Sequence, residues 1–377
     1  MNSLPYILLF ILLGLTSIIE HKTSGRQLVL VRVLIIIVLL FFFGLRGFIG
    51  TDFINYYGLF KNIEYELGNF TNLNYSIGFL WLTYYIKSLW ANYHFYVFIL
   101  TLIHFLPLSI FLLKHTKSIS LAMIFFLGYR GLIFEFNLLQ NSLSLLFFVL
   151  SVPFLKEKKY SKFILLNIIG SLFHFSSLLF IPLSFFLSKK FKLRTYLLLI
   201  LLGNLVYFLK SDLIVVFIQR AIEQFSQLDV QQYTDYFYDD KSAKFTVGYL
   251  ERLVTILIIL MNKKIIEEKI PAGTIFINMA VIFNLVMLLF SSVYVIYDRL
   301  SLLFILSFWV LLPNIVLNPR IKKRTIYGIV TISLCLLKLI TATSIDVMRY
   351  DNITTGIDSY TDRFNDVQNH NYNFRKQ

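Results

Sequence analysis

Four polar clusters interrupt an otherwise apolar chain, and each carries side chains suited to phosphate or hydroxyl chemistry. The first, Leu45–Phe60 (LRGFIGTDFINYYGLF), sets Arg46 ahead of a Gly50-Thr51-Asp52 turn and follows it with Asn55, Tyr56 and Tyr57. An arginine there could grip a phosphate through a planar two-pronged hydrogen bond that lysine cannot copy, while Asp52 could bond the turn or take up a proton. In the second, Tyr129–Ser144 (YRGLIFEFNLLQNSLS), Arg130 and Glu135 flank a tight turn, and Asn137, Gln140 and Asn141 follow at spacings of three and four that share one helical face. The third, Ser171–Ser177 (SLFHFSS), holds His174 deep in a long apolar run, where a wet cavity would let it titrate near neutrality, carrying a proton or donating to phosphate. The fourth, Tyr294–Arg299 (YVIYDR), offers Tyr294, Asp298 and a further guanidinium, Arg299. Arg46 and Arg299 converging on one cavity would neutralise a pyrophosphate. Each cluster also has a plainer explanation: snorkelling anchors, an aromatic belt, inter-helix amide bonds, a packed histidine or a local ion pair.

Absent motifs narrow the chemistry. There is no P-loop, GxGxxG, HExxH or CxxC, so nucleotide hydrolysis and zinc chemistry have no support, and neither metal nor cofactor is expected. The single Cys335 excludes a disulfide framework. A reaction on the outer side would need a donor delivered by the membrane, such as a lipid-linked sugar.

The elements that must hold these groups are membrane helices. Of 377 residues, 57% are hydrophobic and 15% charged, against about 45–50% and 25% for soluble domains. Runs near the ~20 residues that span a bilayer are Leu4–Ile19, Val29–Phe43, Ile77–Leu89, Phe95–Leu113, Ile119–Phe134, Phe136–Leu155, Phe163–Leu187, Tyr196–Leu209, Tyr249–Met261, Ile275–Ser291, Ser301–Leu317 and Tyr327–Ile340. The first lacks a basic n-region and a cleavage site and reads as a retained helix. The expected fold is an all-α, polytopic bundle of about 10–12 transmembrane helices with re-entrant segments. It occupies residues 1–341, including outer loops 44–76 and 210–248, and precedes a polar tail, 342–377.

The net charge of +14 is read as cytoplasmic-loop lysine and arginine, with no nucleic-acid partner. The basic loops His21–Arg26, Lys114–Lys117, Lys156–Lys162, Lys189–Arg194, Lys263–Lys269 and Arg320–Arg324 face inward. The acidic, Tyr- and Asn-rich loops Gly44–Ser76, Lys210–Gly248 and Ser292–Leu300 face outward with the tail. Strict alternation then fails twice. Ile77–Leu89, short and bearing Lys87, is expected to lie in or re-enter the outer leaflet, and Phe163–Leu187 to break near Gly170–His174 and Pro182. Backbone of that kind is tolerated where it lines protein or water. The stretch Ile214–Phe225 is amphipathic at helical spacing and reads as an interfacial helix or a packed one, and Tyr233–Asp240 alternates aromatics with carboxylates, a composition that suits sugar rings and equally a solvated loop.

In order and spacing, the four clusters resemble the EpsG family of Wzy-like membrane polysaccharide polymerases. The matching pieces are Arg46 with Gly50-Thr51-Asp52 and Tyr56, then Asn137-Leu-Leu-Gln140-Asn141-Ser142, then Phe173-His174-Phe175-Ser176, and lastly Asp298-Arg299. The family's second motif usually carries Arg where this chain has Gln140, and Arg130 would compensate. The resemblance implies an enzyme of the bacterial inner (cytoplasmic) membrane that joins undecaprenyl-diphosphate-linked oligosaccharide repeat units into exopolysaccharide, capsule or O-antigen. A chain-length regulator and a flippase of the same pathway would be its partners, with membrane lipid around it. Under this expectation Arg46, Arg299 and Arg130 take the diphosphate, His174 or Asp52 moves the proton, and Thr51, Tyr56, Tyr57, Asn137, Gln140, Asn141, Tyr294 and Asp298 support the glycan. The rivals are a flippase for lipid-linked oligosaccharides, which would need polar groups through both leaflets, and a polysaccharide ligase using the same donor.

Overall fold

A computed structural model describes residues 2–68, 75–209, 245–290 and 294–376, apart from the side chains of 294–296, 298 and 372–376. The stretches Ile214–Phe225 and Tyr233–Asp240 lie outside the described residues, as do the side chains of Tyr294 and Asp298. The described residues form nineteen α-helices and no strand. They fall into two compact units, Met1–Ser184 with Gly328–Gln377, and Phe185–Tyr327. The protein is a polytopic all-α membrane protein. Among the described residues, five helices are long and apolar enough to cross a bilayer: α1 (Leu4–Lys22), α2 (Gly25–Gly44), α6 (Tyr93–His115), α9 (Leu139–Lys156) and α18 (Arg324–Thr343).

In the first unit, one carboxylate ties three helices together at the end that carries the basic loops. Glu20, buried near the end of α1, meets Arg32 Nε of α2 at 3.0 Å. It also accepts from Ser118 Oγ at 2.5 Å and Ser120 N at 3.0 Å, at the start of α7 (Ile119–Gly128). A buried carboxylate is stable only when paired and hydrogen-bonded in this way, and its place at a helix N-terminus suits the helix dipole. His21–Arg26 and Lys114–Lys117 therefore share one end, as their charge predicts.

Most departures from the expected spans have local causes. Ile119–Phe134 does not run as one helix. Arg130 adopts a left-handed φ of 62° and splits it into α7 and the short α8 (Gly131–Phe136). Phe163–Leu187 breaks at Leu172–His174, between α10 (Tyr160–Ser171) and a 3-10 turn, Phe175–Leu179. Pro182 does not mark the break but lies in the first turn of α11 (Phe180–Ser188), where its missing N–H costs nothing. The helix α5 (Ile77–Leu89) does not traverse. Its start bonds Leu172 O at 2.8 Å, and Lys87 near its end reaches Lys61 O and Glu64 of α4 (Ile63–Gly68), both at 2.9 Å, so both of its ends stay beside the loops opposite the basic end.

The tail is built into this unit. Residues 345–353 run antiparallel along loop 45–50: Ile353 N donates to Leu45 O at 2.9 Å, Gly47 N to Asp351 O at 3.2 Å, and Gly50 N to Val347 O at 2.9 Å. A Cβ on Gly47 would lie 2.3 Å from Asp351 Oδ1, so any larger residue there would have to displace the Asp351 carboxyl. A last helix, α19 (Tyr360–Lys376), follows.

The second unit is a smaller helical body: α12 (Leu193–Leu209), α13 (Val247–Met261), α14 (Lys263–Lys269), α15 (Gly273–Leu289), α16 (Tyr294–Leu302) and α17 (Leu306–Leu317). Its buried Asn278 accepts from Tyr196 OH at 2.5 Å and donates to Leu187 O at 2.8 Å, satisfying backbone that apolar surroundings would leave bare.

Candidate functional site

Three of the four sequence clusters meet around the start of α9. Asn137 is not on α9 but caps the end of α8, so the three amides do not share one helical face as their spacing suggests. Each instead reaches a different element. Asn137 Oδ1 accepts from Thr51 N at 3.0 Å, Gln140 Oε1 from Ser76 N at 3.1 Å, and Asn141 Nδ2 lies 3.2 Å from His174 Nδ1. Tyr56, on α3 (Phe53–Lys61), closes the joint: its hydroxyl donates to Asn137 O at 3.0 Å and accepts from Leu139 N at 3.1 Å. Burial first, and then the charge of Asp52, holds the Tyr56 phenol well above its ordinary range, so it stays a neutral bridge.

The close approach depends on Gly50. Its φ is +89°, and a Cβ there would sit 2.0 Å from Asn137 Oδ1. No other residue permits both the dihedral and the contact.

His174 is fixed as one tautomer by its neighbours. Ser176 N donates to Nδ1 at 3.3 Å and Ser176 Oγ lies 2.8 Å away. With Nδ1 accepting, the neutral ring carries its proton on Nε2. The imidazole is thereby set to donate a hydrogen bond, a role that suits a phosphate or glycosidic oxygen better than proton abstraction does. Asp52, half-buried before α3, accepts from Thr51 Oγ1 at 3.2 Å and faces a cavity of about 420 Å³.

Arg46 is only 3% exposed, and its guanidinium is occupied by protein. Nη1 donates to Phe43 O at 2.6 Å and Thr101 Oγ1 at 3.2 Å, Nη2 donates to Glu135 O, and the fork lies over the Phe136 ring, 5.3 Å from its centroid. Burial lowers its pKa and Glu135 opposes that. Glu135 Oε1 is 3.0 Å from His104 Nε2, whose Nδ1 meets Leu100 O at 2.7 Å. Nothing in the sequence singles out His104, which sits in an apolar run like any packed histidine. Arg130 is half-buried at the left-handed turn. Tyr57 stacks on Tyr360 at 4.5 Å and edges against Phe48 and Tyr93, so it anchors the tail. Arg299 is exposed on α16 of the second unit.

The tail supplies a feature that its polar composition hides. Arg363, 1% exposed, donates from Nε to Phe48 O at 2.9 Å and from Nη2 to Arg349 O. Asp351, Asp358 and Asp366 surround it at 3.5 to 3.8 Å. In the sequence these residues read only as mixed charge, Arg349 and Arg363 among Asp351, Asp358 and Asp366. No group of three or more metal-binding side chains converges among the described residues.

The EpsG family matches residues 29–354, which takes in all four clusters and the antiparallel latch but neither α1 nor α19. No curated protein and no solved structure matches the chain.

Proposed function

The chain belongs to the EpsG family of Wzy-like polysaccharide polymerases, and from that premise we propose that it joins oligosaccharide repeat units carried on undecaprenyl diphosphate at the outer face of the bacterial cytoplasmic membrane. The bond from the growing glycan's anomeric carbon to the diphosphate oxygen breaks. A new one forms to a hydroxyl at the non-reducing end of the next unit. The hydroxyl proton passes to Asp52, and the lipid diphosphate leaves as the anion. His174, donating from Nε2, stabilises charge that develops on oxygen. Arg130 is the proposed diphosphate cation of the first unit. For Arg299, exposure on α16 and its sequence context support the same kind of role. Arg46 acts as a positioning residue, since its fork is spent on the carbonyls that shape the loop.

The observation that carries this reading is the framework joining Asp52 to His174. Thr51, Asn137, Tyr56 and Asn141 link the proton acceptor and the donor through main-chain and amide bonds at the start of one helix. A base worth about 10²–10⁴ in rate has to be held that firmly. The test is incubation of purified protein in detergent with lipid-linked repeat units. A ladder of longer glycans is expected. Units that stay single in detergent yet cross the bilayer of proteoliposomes would replace this reading with a flippase.

A further inference from the structure

The cavity beside Asp52 has two walls of different standing. Thr51, Asp52, Ile54 and Asn55 form one, inside the span that the family match covers. Val367, His370 and Asn371 of α19 form the other, beyond the matched residues. The second wall is held in register with the first. Arg363, one turn before Val367, bonds Phe48 O, and Tyr360 stacks on Tyr57 of α3. The lining chemistry is mixed in a particular way: a carboxylate, two amides, a hydroxyl and an imidazole surround two branched apolar side chains. That is what a pyranose ring needs, with hydroxyls paired to groups that both donate and accept and C–H faces set against Ile54 and Val367. The volume, about 420 Å³, lies in the range of ~300–1,000 Å³ usual for small-molecule sites.

We propose that this cleft is the acceptor subsite, in which Asp52 faces the reacting hydroxyl and His370 and Asn371 of α19 select the terminal sugar. The proposal rests on the polymerase reading and adds to it a division of labour: the wall within the family match bears the chemistry, and the wall beyond it reads the sugar.

Two measurements test it separately from polymerisation itself. Cys335 is the sole cysteine and is buried, so a cysteine introduced by His370→Cys is the one thiol open to a polar maleimide. The probe is the free repeat-unit oligosaccharide released by mild acid from the lipid-linked precursor of a polymerase-deleted strain. It should slow labelling at position 370 and leave Asn365→Cys, on the opposite face of α19, unaffected. In the polymerisation assay, His370→Ala and Asn371→Ala should each raise the half-saturating concentration of repeat unit by about tenfold, the size of a lost hydrogen bond or two, with the maximal rate nearly unchanged. Unslowed labelling at saturating oligosaccharide in a protein that polymerises would overturn the subsite while leaving the function intact. Protection at 370 in a protein that never polymerises would do the reverse, and the absence of both would remove both.

Discussion

Arg363 Nε donates to the carbonyl of Phe48 at 2.9 Å, joining the last helix to the first large loop across 315 residues. The guanidinium is almost wholly buried and neutralised by three carboxylates, so its removal leaves uncompensated acid beside a loop that has lost its clamp. Arg363→Ala should cost docking of the tail about 3–5 kcal/mol. Hydrogen exchange over 345–376 would rise sharply, while α6 and α9 stay protected. Unchanged exchange in the tail would show that the latch is held elsewhere.

Gly50→Ala should lower polymer formation at least tenfold without lowering the amount of inserted protein. The new methyl meets Asn137 Oδ1 at 2.0 Å, and the backbone there costs a side chain about 1–2 kcal/mol. Asn137→Ala removes both the clash and the bond to Thr51, so Gly50→Ala added to it should cost much less than in the wild type. Strictly additive losses in this double-mutant cycle would mean that the two residues do not act through each other.

Arg46→Lys separates a positioning role from a ligand role. One ammonium cannot reach Phe43 O, Thr101 Oγ1 and Glu135 O in the plane that the guanidinium spans. Exchange should rise at 43–50 and 131–137, and the maximal rate should fall more than the affinity for the lipid donor. A pure rise in half-saturating donor concentration, with exchange unchanged, would return Arg46 to the diphosphate.

Asp52→Asn should reduce polymerisation by about 10²-fold or more, as expected for loss of a general base. His174→Gln keeps a donor near the position of Nε2 and should retain more activity than His174→Ala. Equal rates for the two His174 variants would reduce the ring to packing.

Asp351 gives the latch a pH dependence. Burial, the largest influence, lifts its carboxyl above the ordinary 3.8, against the pull of Asp358 N–H and Arg363. Between 3.8 and the raised native value, the docked tail holds a proton that the undocked tail has released. Docking therefore strengthens as pH falls through that window, and above it the ionised form is a cost. Asp351→Asn should be docked more firmly than the wild type above the window, with the difference closing as pH falls into it. A series of exchange measurements corrected for intrinsic rate reads this directly, and identical profiles would mean that burial imposes no such cost.

Much of the architecture was legible because it is local. Apolar runs of the right length mark α1, α2, α6, α9 and α18, and the order of the polar clusters identifies the family. The break at Leu172–His174 and the failure of α5 to traverse also announced themselves, through a glycine, a histidine and a lysine in apolar stretches. What escaped was choice of partner. Hydrophobic periodicity is blind to a left-handed residue such as Arg130, and spacing assigned Asn137 to a helix face when it ends the preceding helix. His104 and Glu135 find each other only in three dimensions, and the polar tail gave no sign that it would lie along a loop some three hundred residues earlier.

That pairing has a consequence for biosynthesis. Asn2 Nδ2 reaches Asp346 Oδ1 at 2.9 Å, Tyr6 OH reaches Met348 O at 2.8 Å, and Gly50 N reaches Val347 O at 2.9 Å, so residues 2–50 find these partners only after some three hundred more have been made. During synthesis, helices α1 to α18 all precede the strap that braces Gly50. A chain cut before residue 346 should therefore insert its apolar helices and yet lack the brace on Gly50, and it is expected to form no polymer.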